Sequence, residues 1–562
     1  LSANTTASFN SAFGQGALAA NTTGTRNVGL GVYSLIQNTT ANDNVAVGYN
    51  ALADNTTGAQ NTAVGGNALD ANTTAIDNSA FGYNALGSNT TGTRNTALGR
   101  SAMYANTTGN YNVAVGSNNC LGPANGSYNT AVGDGCMQAT TTGSNCVAMG
   151  QAALYANTTG NENTSIGNNS MMNNTTGVYN TAVGKNALYT SSTTNNLTAI
   201  GKNSLYNNTG SNNTAVGAES LKANTSAGNN VAVGFECLHD NTTGADNTAV
   251  GTYAGDAITT GGNNVVLGKS ALSAATTASN NTAVGTSALL VATGNNNTAI
   301  GYNALVAQTT SNDNVALGAY AGYNITTGSS NTALGKSALY TCTTASSNVA
   351  IGNDAMKDST SAYECVAVGY LAGANVTTGE RSVFVGYNAG GNMTTGTHCV
   401  AIGRHALVSA TDAVENTAVG QESLENCSGS SNTALGYEAG KSINTGSTNI
   451  IIGEQCAASS SITNGASNII LGCNYNPGNQ SNLVAFNNAS QVISCSAGAG
   501  SWSFSSDGRD KTDINDLTLG LGFINKLTPR KFRWDYRDKT RFPEGWEDNP
   551  DMLIKAGFIA QE

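Results

Sequence analysis

The sequence predicts an all-β fold, a parallel β-solenoid (β-roll) of 17-residue coils, and three observations predict it. An anchor glycine recurs at 28 positions from Gly14 to Gly472, with 23 of the 27 intervals equal to 17, three to 16 and one to 19. The apolar stretches between these glycines are too short for helices. Proline is nearly absent before residue 473, where only Pro123 occurs, as expected if neighbouring coils bond to the backbone N–H groups. A unit repeated in this way cannot bury its apolar side alone, so each coil must stack on the next.

One coil follows the consensus Asn-Thr-Ala-Val-Gly-x-x-Ala-Leu-x-x-Asn-Thr-Thr-Gly-x-x, seen almost complete at residues 61–77. Its two apolar stretches, 62–64 and 68–69, are small or β-branched and are soon followed by Gly or Asn, so we expect two short strands per coil. Ala, Val and Leu would fill a thin core. Stacked at about 4.8 Å, the coils would form a narrow rod on the order of 130 Å long.

Two glycine columns and one asparagine column recur at fixed places in the coil. We expect positive φ at the anchor column of Gly65, and also at the second column that contains Gly58, although Ala75 occupies that second column. Asn61 has counterparts in the neighbouring coils, so stacked amides are expected to bond along the axis as an asparagine ladder. The counterparts are Asn10, Asn27, Asn44, Asn78, Asn95, Asn112 and Asn129.

The distribution of charge divides the chain. Charged residues make up 10% of the whole sequence but more than a third of the segment 506–562. We therefore predict a solenoid shaft at 1–472, a neck or connector at 473–505 and a separate carboxy-terminal domain at 506–562. Leu1 aligns with Leu18 in the coil, so the sequence opens within a coil and we expect a further part upstream.

Composition also limits the partners and cofactors. The net charge is −11 and the sequence contains no basic patch, which argues against nucleic acid or an anionic membrane as a partner. No apolar run is long enough for membrane insertion. The eleven cysteines include no CxxC pair and no metal-ligand spacing. We interpret them as buried free thiols that fill small positions, and we expect no metal and no cofactor.

The most specific motifs lie near the carboxyl end. Ser-Asp-Gly-Arg-Asp-Lys-Thr-Asp-Ile at 506–514 is followed by Leu-Thr-Pro-Arg-Lys-Phe-Arg-Trp at 527–534 and Gly-Phe-Ile-Ala-Gln-Glu at 557–562. These three motifs, in this order, resemble the self-cleaving intramolecular chaperone domain of endosialidase-type phage tail spikes and tail fibres. The resemblance covers only the segment 506–562. It implies a small α+β segment that folds first, brings three chains together and then cuts itself off.

The resemblance also implies roles for individual residues. Ser506 would be the nucleophile, Lys511 its general base, and the scissile bond would join Ser505 to Ser506. A serine hydroxyl is a weak nucleophile that a lysine kept neutral by burial can activate. Asp510 stands where the family is usually apolar, and the family continues beyond the position of Glu562 into helices. The alternative is therefore a structural homologue that does not cut, and we expect no activity on an external substrate.

The pattern Asn-Thr-Ala-Val-Gly-x-x-Ala is similar to the head repeats of trimeric autotransporter adhesins, although those repeats are usually shorter than 17 residues. Those repeats form left-handed parallel β-rolls in trimers. Both resemblances imply a homotrimer, which the periodicity alone does not show.

Some side chains along the shaft suggest surface sites. Asn-Thr-Thr triplets are candidate N-glycosylation acceptors, or else simple turn residues, at Asn4, Asn21, Asn38, Asn55, Asn72, Asn89, Asn106, Asn157 and Asn241. Tyr33, Tyr49, Tyr83 and Tyr104 are either packing residues or rings for a carbohydrate. The histidines, at positions 239, 398 and 405, have no evident partner in the sequence.

The sequence as a whole predicts the structural shaft of a phage or virus tail fibre that mediates host attachment. Its partners would be two further copies of the chain and a host surface receptor or glycan, and its location the virion. The alternative is a cell-surface adhesin or an extracellular glycoprotein filament built from the same solenoid.

Overall fold

The computed structural model describes residues 1–119, 125–458, 463–476, 478–488, 491–496 and 503–506. These residues contain 31 β-strands and no α-helix. The strands β1 to β31 are, in chain order, Ser11–Phe13, Val28–Leu30, Val45–Val47, Thr62–Val64, Ser79–Phe81, Thr96–Leu98, Val113–Val115, Thr130–Val132, Val147–Met149, Thr164–Ile166, Thr181–Val183, Thr198–Ile200, Thr214–Val216, Val231–Val233, Thr248–Val250, Val265–Leu267, Thr282–Val284, Thr298–Ile300, Val315–Leu317, Thr332–Leu334, Val349–Ile351, Val366–Val368, Val383–Val385, Val400–Ile402, Thr417–Val419, Thr433–Leu435, Ile450–Ile452, Ile469–Cys473, Leu483–Asn488, Gln491–Ser496 and Ser503–Ser506.

The predicted parallel β-solenoid is confirmed. Each strand from β1 to β28 pairs in parallel with the next strand along the chain, and equivalent residues face one another, as Thr62 faces Ser79 in the pair β4–β5. The solenoid therefore has about 27 turns, and most of them have the length of one 17-residue coil. At its carboxyl side β29 pairs in parallel with β28 and antiparallel with β30.

The coils that the structure describes throughout contain one strand each and not the two that the sequence predicted. The second apolar stretch lies in a turn, because Leu69 has a φ of 50° and Asn67 a φ of 55°, which no strand accommodates. This turn still bonds to the next coil, since the amide of Leu69 donates to the carbonyl of Ala85 at 3.0 Å. Coil-to-coil hydrogen bonding thus continues outside the strands.

The core is thinner than predicted, because the valine of the consensus lies outside it. In β4 only the middle residue, Ala63, is buried, while Thr62 and Val64 on either side are partly exposed. Successive side chains of a strand point to opposite faces. Ala63 packs inside the coil with Ala68 and Leu69, and these three positions repeat as one continuous apolar core.

The two glycine columns differ, and only one has positive φ. The anchor column does, with φ of 138° at Gly65. Gly58 does not, but a Cβ there would lie 2.3 Å from the carbonyl oxygen of Ala75 in the next coil. The second column thus favours glycine through close backbone approach and not through its φ.

The chain divides into two compact units, Leu1–Ser503 and Phe504–Glu562. Most of the second unit lies outside the described residues. Its predicted α+β character and the predicted boundaries at 472/473 and 505/506 therefore stay predictions.

Candidate functional site

The predicted cleavage bond lies at the end of a strand. Ser505 and Ser506 are the last two residues of β31. Lys511, the predicted general base, lies outside the described residues. The pairing of Ser506 with Lys511 therefore stays a prediction from the motif.

The asparagines of the predicted glycosylation triplets lie inside the coil. Asn4 is exposed, but the other eight are fully buried. The Nδ2 atom of Asn55 donates to the carbonyl of Gly58 at 2.9 Å, which closes the turn that the triplet begins. A glycan attached to such a nitrogen does not fit in the folded coil. The burial favours the interpretation of these triplets as turn residues, and glycosylation itself stays a prediction.

The same buried asparagines form a hydrogen-bonded column, the corner ladder, which was not predicted. Nδ2 of Asn38 donates to Oδ1 of Asn21 at 2.8 Å, Asn55 to Asn38 at 3.0 Å, and Asn72 to Asn55 at 2.7 Å. Asn21, Asn38 and Asn55 thus each accept a bond from the coil that follows. The signal in the sequence is the 17-residue recurrence of this asparagine, which by itself suits turn formation or glycosylation equally well.

The predicted asparagine ladder, here called the strand ladder, is present just before most strands and is interrupted where Cys, Leu or Ser takes the position of asparagine, as at Cys146 and Leu197. Oδ1 of Asn44 accepts from the backbone amide of Asn61 at 2.9 Å, and Nδ2 of Asn61 donates to the carbonyl of Ala75 at 2.8 Å. Oδ1 of Asn61 accepts in turn from the amide of Asn78 at 3.0 Å. Each of these three bonds joins a side-chain amide to a backbone group and not to another side-chain amide. They satisfy buried polar groups inside the coil.

Eight cysteines of the described residues are both free and buried. Burial raises the pKa of Cys237, Cys342 and Cys427 to about 12 and that of Cys365 to about 11. A thiol is nucleophilic only as its thiolate. These cysteines are therefore small core residues and not reactive sites.

Histidine and tyrosine side chains form small surface clusters. Nδ1 of His239 lies 2.7 Å from Oδ1 of Asp240 and its Nε2 lies 3.7 Å from Glu219, so this histidine has acidic neighbours that the sequence did not reveal. The rings of Tyr323 and Tyr340 stack with centroids 5.0 Å apart. In a stacked pair each ring covers one face of the other, so these two tyrosines pack against each other along the axis of the solenoid.

The outer side of the strands carries a continuous apolar surface. We define the strand face as the first and third residues of β1 to β27. Every third residue is Val, Leu, Ile, Met or Phe, and every first residue is Thr, Val, Ser or Ile. Leu98, Leu317 and Leu435 have 49%, 43% and 47% of their surface exposed. No strand-face position carries a charge.

The described part of the chain lacks two kinds of feature. No group of three or more His, Cys, Asp or Glu residues there is arranged to hold a metal ion. The described ranges also contain no helix that is long and apolar enough to cross a membrane.

Comparison with known proteins gives a match at the carboxyl end. Residues 506–562 match a family model described as the chaperone of endosialidase. The match covers a small part of the chain, and it begins at Ser506, the predicted nucleophile. The chain matches no curated protein and no solved structure. A long parallel β-solenoid together with a segment similar to an endosialidase chaperone fits a fibre-like structural protein.

Proposed function

We propose that this chain is the shaft of a trimeric phage or virus tail fibre, assembled with the help of its carboxy-terminal segment. The observation that carries the proposal is the succession of an uninterrupted solenoid and, from Ser506 onward, a segment that matches the chaperone of endosialidase. The proteins that this carboxy-terminal segment resembles join a fibrous body to an assembly domain.

The solenoid supports a mechanical role. Neighbouring coils bond to each other through their strands and turns, and also through two asparagine ladders wherever asparagine occupies the ladder positions, so extension of the repeat lengthens the body without a change of local structure. The described residues form no metal cluster and the buried thiols are not nucleophilic. The shaft would hold a host-contacting element away from its base on the virion. The contact would be a host surface receptor or glycan.

The assembly step is proposed as a single self-cleavage. The Ser506 hydroxyl would attack the carbonyl carbon of Ser505 while Lys511 takes its proton, and the nitrogen of Ser506 would leave as the amine. The ester that results between Ser505 and the Ser506 side chain would be hydrolysed by water. The products would be a chain that ends at the carboxylate of Ser505 and a released segment that begins at Ser506.

The experiment that tests this function is the intact mass of the full-length protein, measured after denaturation beside Ser506→Ala and Lys511→Gln variants. We expect the wild-type chain to end at Ser505 and both variants to stay uncut. The next residue, Asp507, offers no hydroxyl that could replace that of Ser506. Wild-type and variant chains of equal length would overturn the cleavage, and a cell-surface adhesin or extracellular filament would then be favoured.

The proposed homotrimer has its own measurement. Sedimentation equilibrium of the native protein is expected to give three times the mass of one chain. A native mass equal to that of a single chain would overturn the trimer whatever the outcome of the cleavage experiment.

A further inference from the structure

We propose that the strand face is the surface through which the solenoids of three copies of this chain pack side by side, parallel and in register. The inference rests on the homotrimer of the proposed function and adds which face joins the copies. It is carried by the composition, the exposure and the length of the strand face.

The strand face is larger and more apolar than a free surface should be. All 27 of its third residues are apolar, and several are exposed large apolar side chains, with Ile200 and Leu334 each 40% exposed. At a few tens of Å² each, they expose on the order of 1,000 Å² in one stripe, against the few hundred Å² usual on a monomer. That area is what one partner contributes to a stable protein interface.

The length and spacing of the stripe favour a second copy over another partner. A surface that covers the stripe must continue along all the stacked coils and must present apolar side chains at the same coil spacing. The strand face of another copy meets both conditions, because it is the same surface. A parallel arrangement keeps the carboxyl ends together, as an assembly domain at 506–562 requires.

The two rows of the strand face differ in a way that suits an interface. The third row is wholly apolar, which suits the centre of an interface, while the first row mixes Thr with Val and suits its margin. The residues that directly follow the anchor glycines form a further column, which mixes aromatic and charged side chains. Examples are Tyr83, Arg100, Asp134 and Lys185. An apolar centre with a polar margin is the usual anatomy of a protein interface.

The strand face provides affinity but little register. A shift by one coil would replace Val115 by Val132, or Leu317 by Leu334, against the same partner surface. A face so uniform specifies its own register weakly. Three in-register shafts therefore need an alignment signal from elsewhere, which is the role proposed for the carboxy-terminal segment.

The test compares charge on two faces of the same three coils in the full-length protein. One variant carries Ile300→Asp, Leu317→Asp and Leu334→Asp on the strand face. The matched control carries Thr310→Asp, Thr327→Asp and Thr344→Asp, three exposed threonines at equivalent positions of the same coils, outside the strand face. By sedimentation equilibrium we expect the wild type and the control to keep the trimer mass and the strand-face variant to fall toward one third of it.

The outcomes separate the two proposals. A strand-face variant that keeps the trimer mass, or a control that loses it equally, would overturn the strand face as the interface and leave the trimer standing. A wild type with the mass of one chain would overturn the homotrimer itself.

A cysteine pair keeps the test decisive if the charged variant does not fold. Leu317→Cys preserves the apolar surface and Thr327→Cys serves as its control. After mild oxidation we expect covalent dimers from Leu317→Cys alone on a non-reducing gel, because in-register copies place these thiols opposite one another. The absence of a cross-link from Leu317→Cys, or equal cross-linking of the control, would overturn the proposal.

Discussion

The Cδ1 atom of Ile258 lies 2.9 Å from the place where a Cβ on Gly255 would be. Most coils have Leu at the position of Gly255, as at Leu238, and Asn is common at the position of Ile258, as at Asn241. Wherever glycine replaces that leucine in the core, a large apolar residue follows three positions later. The pairs are Gly255 with Ile258, Gly322 with Ile325, Gly373 with Val376, Gly390 with Met393, and Gly440 with Ile443.

Exchange of the two residues predicts a strong coupling in stability. Gly255→Leu alone should cost about 1–3 kcal/mol, because Ile258 already fills the space that the new side chain needs. The φ of 60° at Gly255 is close to the φ of 51° that Leu238 adopts at the equivalent position. Ile258→Asn alone should cost about 2 kcal/mol or more through an apolar void and a buried amide. In the double variant the new amide at position 258 could donate to Oδ1 of Asn241, which has no partner among the described residues.

We expect the double variant to lose less free energy of unfolding than the two single variants lose together, by about 1 kcal/mol or more. Amide hydrogen exchange in the coils around residues 238–275 measures the local free energy of opening. If the stability cost of the double variant equalled the sum of the two single costs, the two side chains would not compete for the same core volume, and the proposed coupling would be contradicted.

The anchor glycines should be sensitive to any side chain, and Gly65 and Gly66 provide a matched pair. A Cβ on Gly65, at a φ of 138°, would lie 2.3 Å from the carbonyl oxygen of Gly82, whereas a Cβ on Gly66 has its nearest neighbour, a Tyr83 ring carbon, at 3.4 Å. Gly65→Ala should cost about 2 kcal/mol or more through backbone strain and the clash. Gly66→Ala should be within about 0.5 kcal/mol of the wild type. Equal thermal denaturation midpoints for the two variants would refute this assignment.

The strand ladder predicts a large cost for the loss of one amide. Asn61→Leu would leave the buried amide of Asn78 without its acceptor and would remove one of the two side-chain amides that donate to the carbonyl of Ala75. Unsatisfied buried groups cost about 1–3 kcal/mol each. Asn168→Ala is the control, since its amide bonds only to Gln151 at the surface and should change stability by less than about 0.5 kcal/mol. Hydrogen exchange of the Asn78 amide should rise steeply in the first variant and stay unchanged in the second.

Alkylation by iodoacetamide should distinguish the cysteines. With a pKa of about 12, Cys237 is a thiolate in only about one molecule in a thousand at pH 9, and it is also fully buried. Cys473 is partly exposed. We expect peptide mass spectrometry to find label on Cys473 in the folded protein and on Cys237 only after denaturation. Equal labelling rates in the folded protein would contradict the burial of Cys237.

Burial also predicts which asparagine can receive a sugar after folding. A soluble N-glycosyltransferase should modify Asn4 in the folded protein but leave Asn55 unmodified, because Nδ2 of Asn55 is bonded inside the coil. The denatured protein should be modified at both. A glycan on Asn55 of the folded protein would show that the corner ladder opens in solution.

The solenoid could be predicted from the sequence because its cause is local and repeated. The anchor glycines recur at one step, and the same apolar and amide positions return with them, so stacking in register is the arrangement that buries all of them together. The strand ladder was predicted for the same reason. For the candidate site, the motif that begins at Ser506 was recognised as a resemblance, and the family match begins at the same residue.

Other features depend on three-dimensional relationships that the repeat does not encode in an obvious way. The sequence predicted a strand at Ala68 and Leu69, but closure of so short a coil forces Leu69 into positive φ, a conformation that leucine does not favour by itself. The asparagines of the Thr-rich triplets looked like surface residues, and only the stacked coils show that Asn38 bonds to Asn21 inside the turn.

The sequence by itself therefore determined the periodicity, the all-β class and the stacking of coils, because these follow from the spacing of glycine, apolar and amide residues along the chain. Only the tertiary structure decided which side of each strand is the core. Ala63 points inward and Val64 outward, since so short a coil has room inside for alanine beside leucine but not for a further row of valines. That choice leaves the apolar row of the strand face on the outside of every coil.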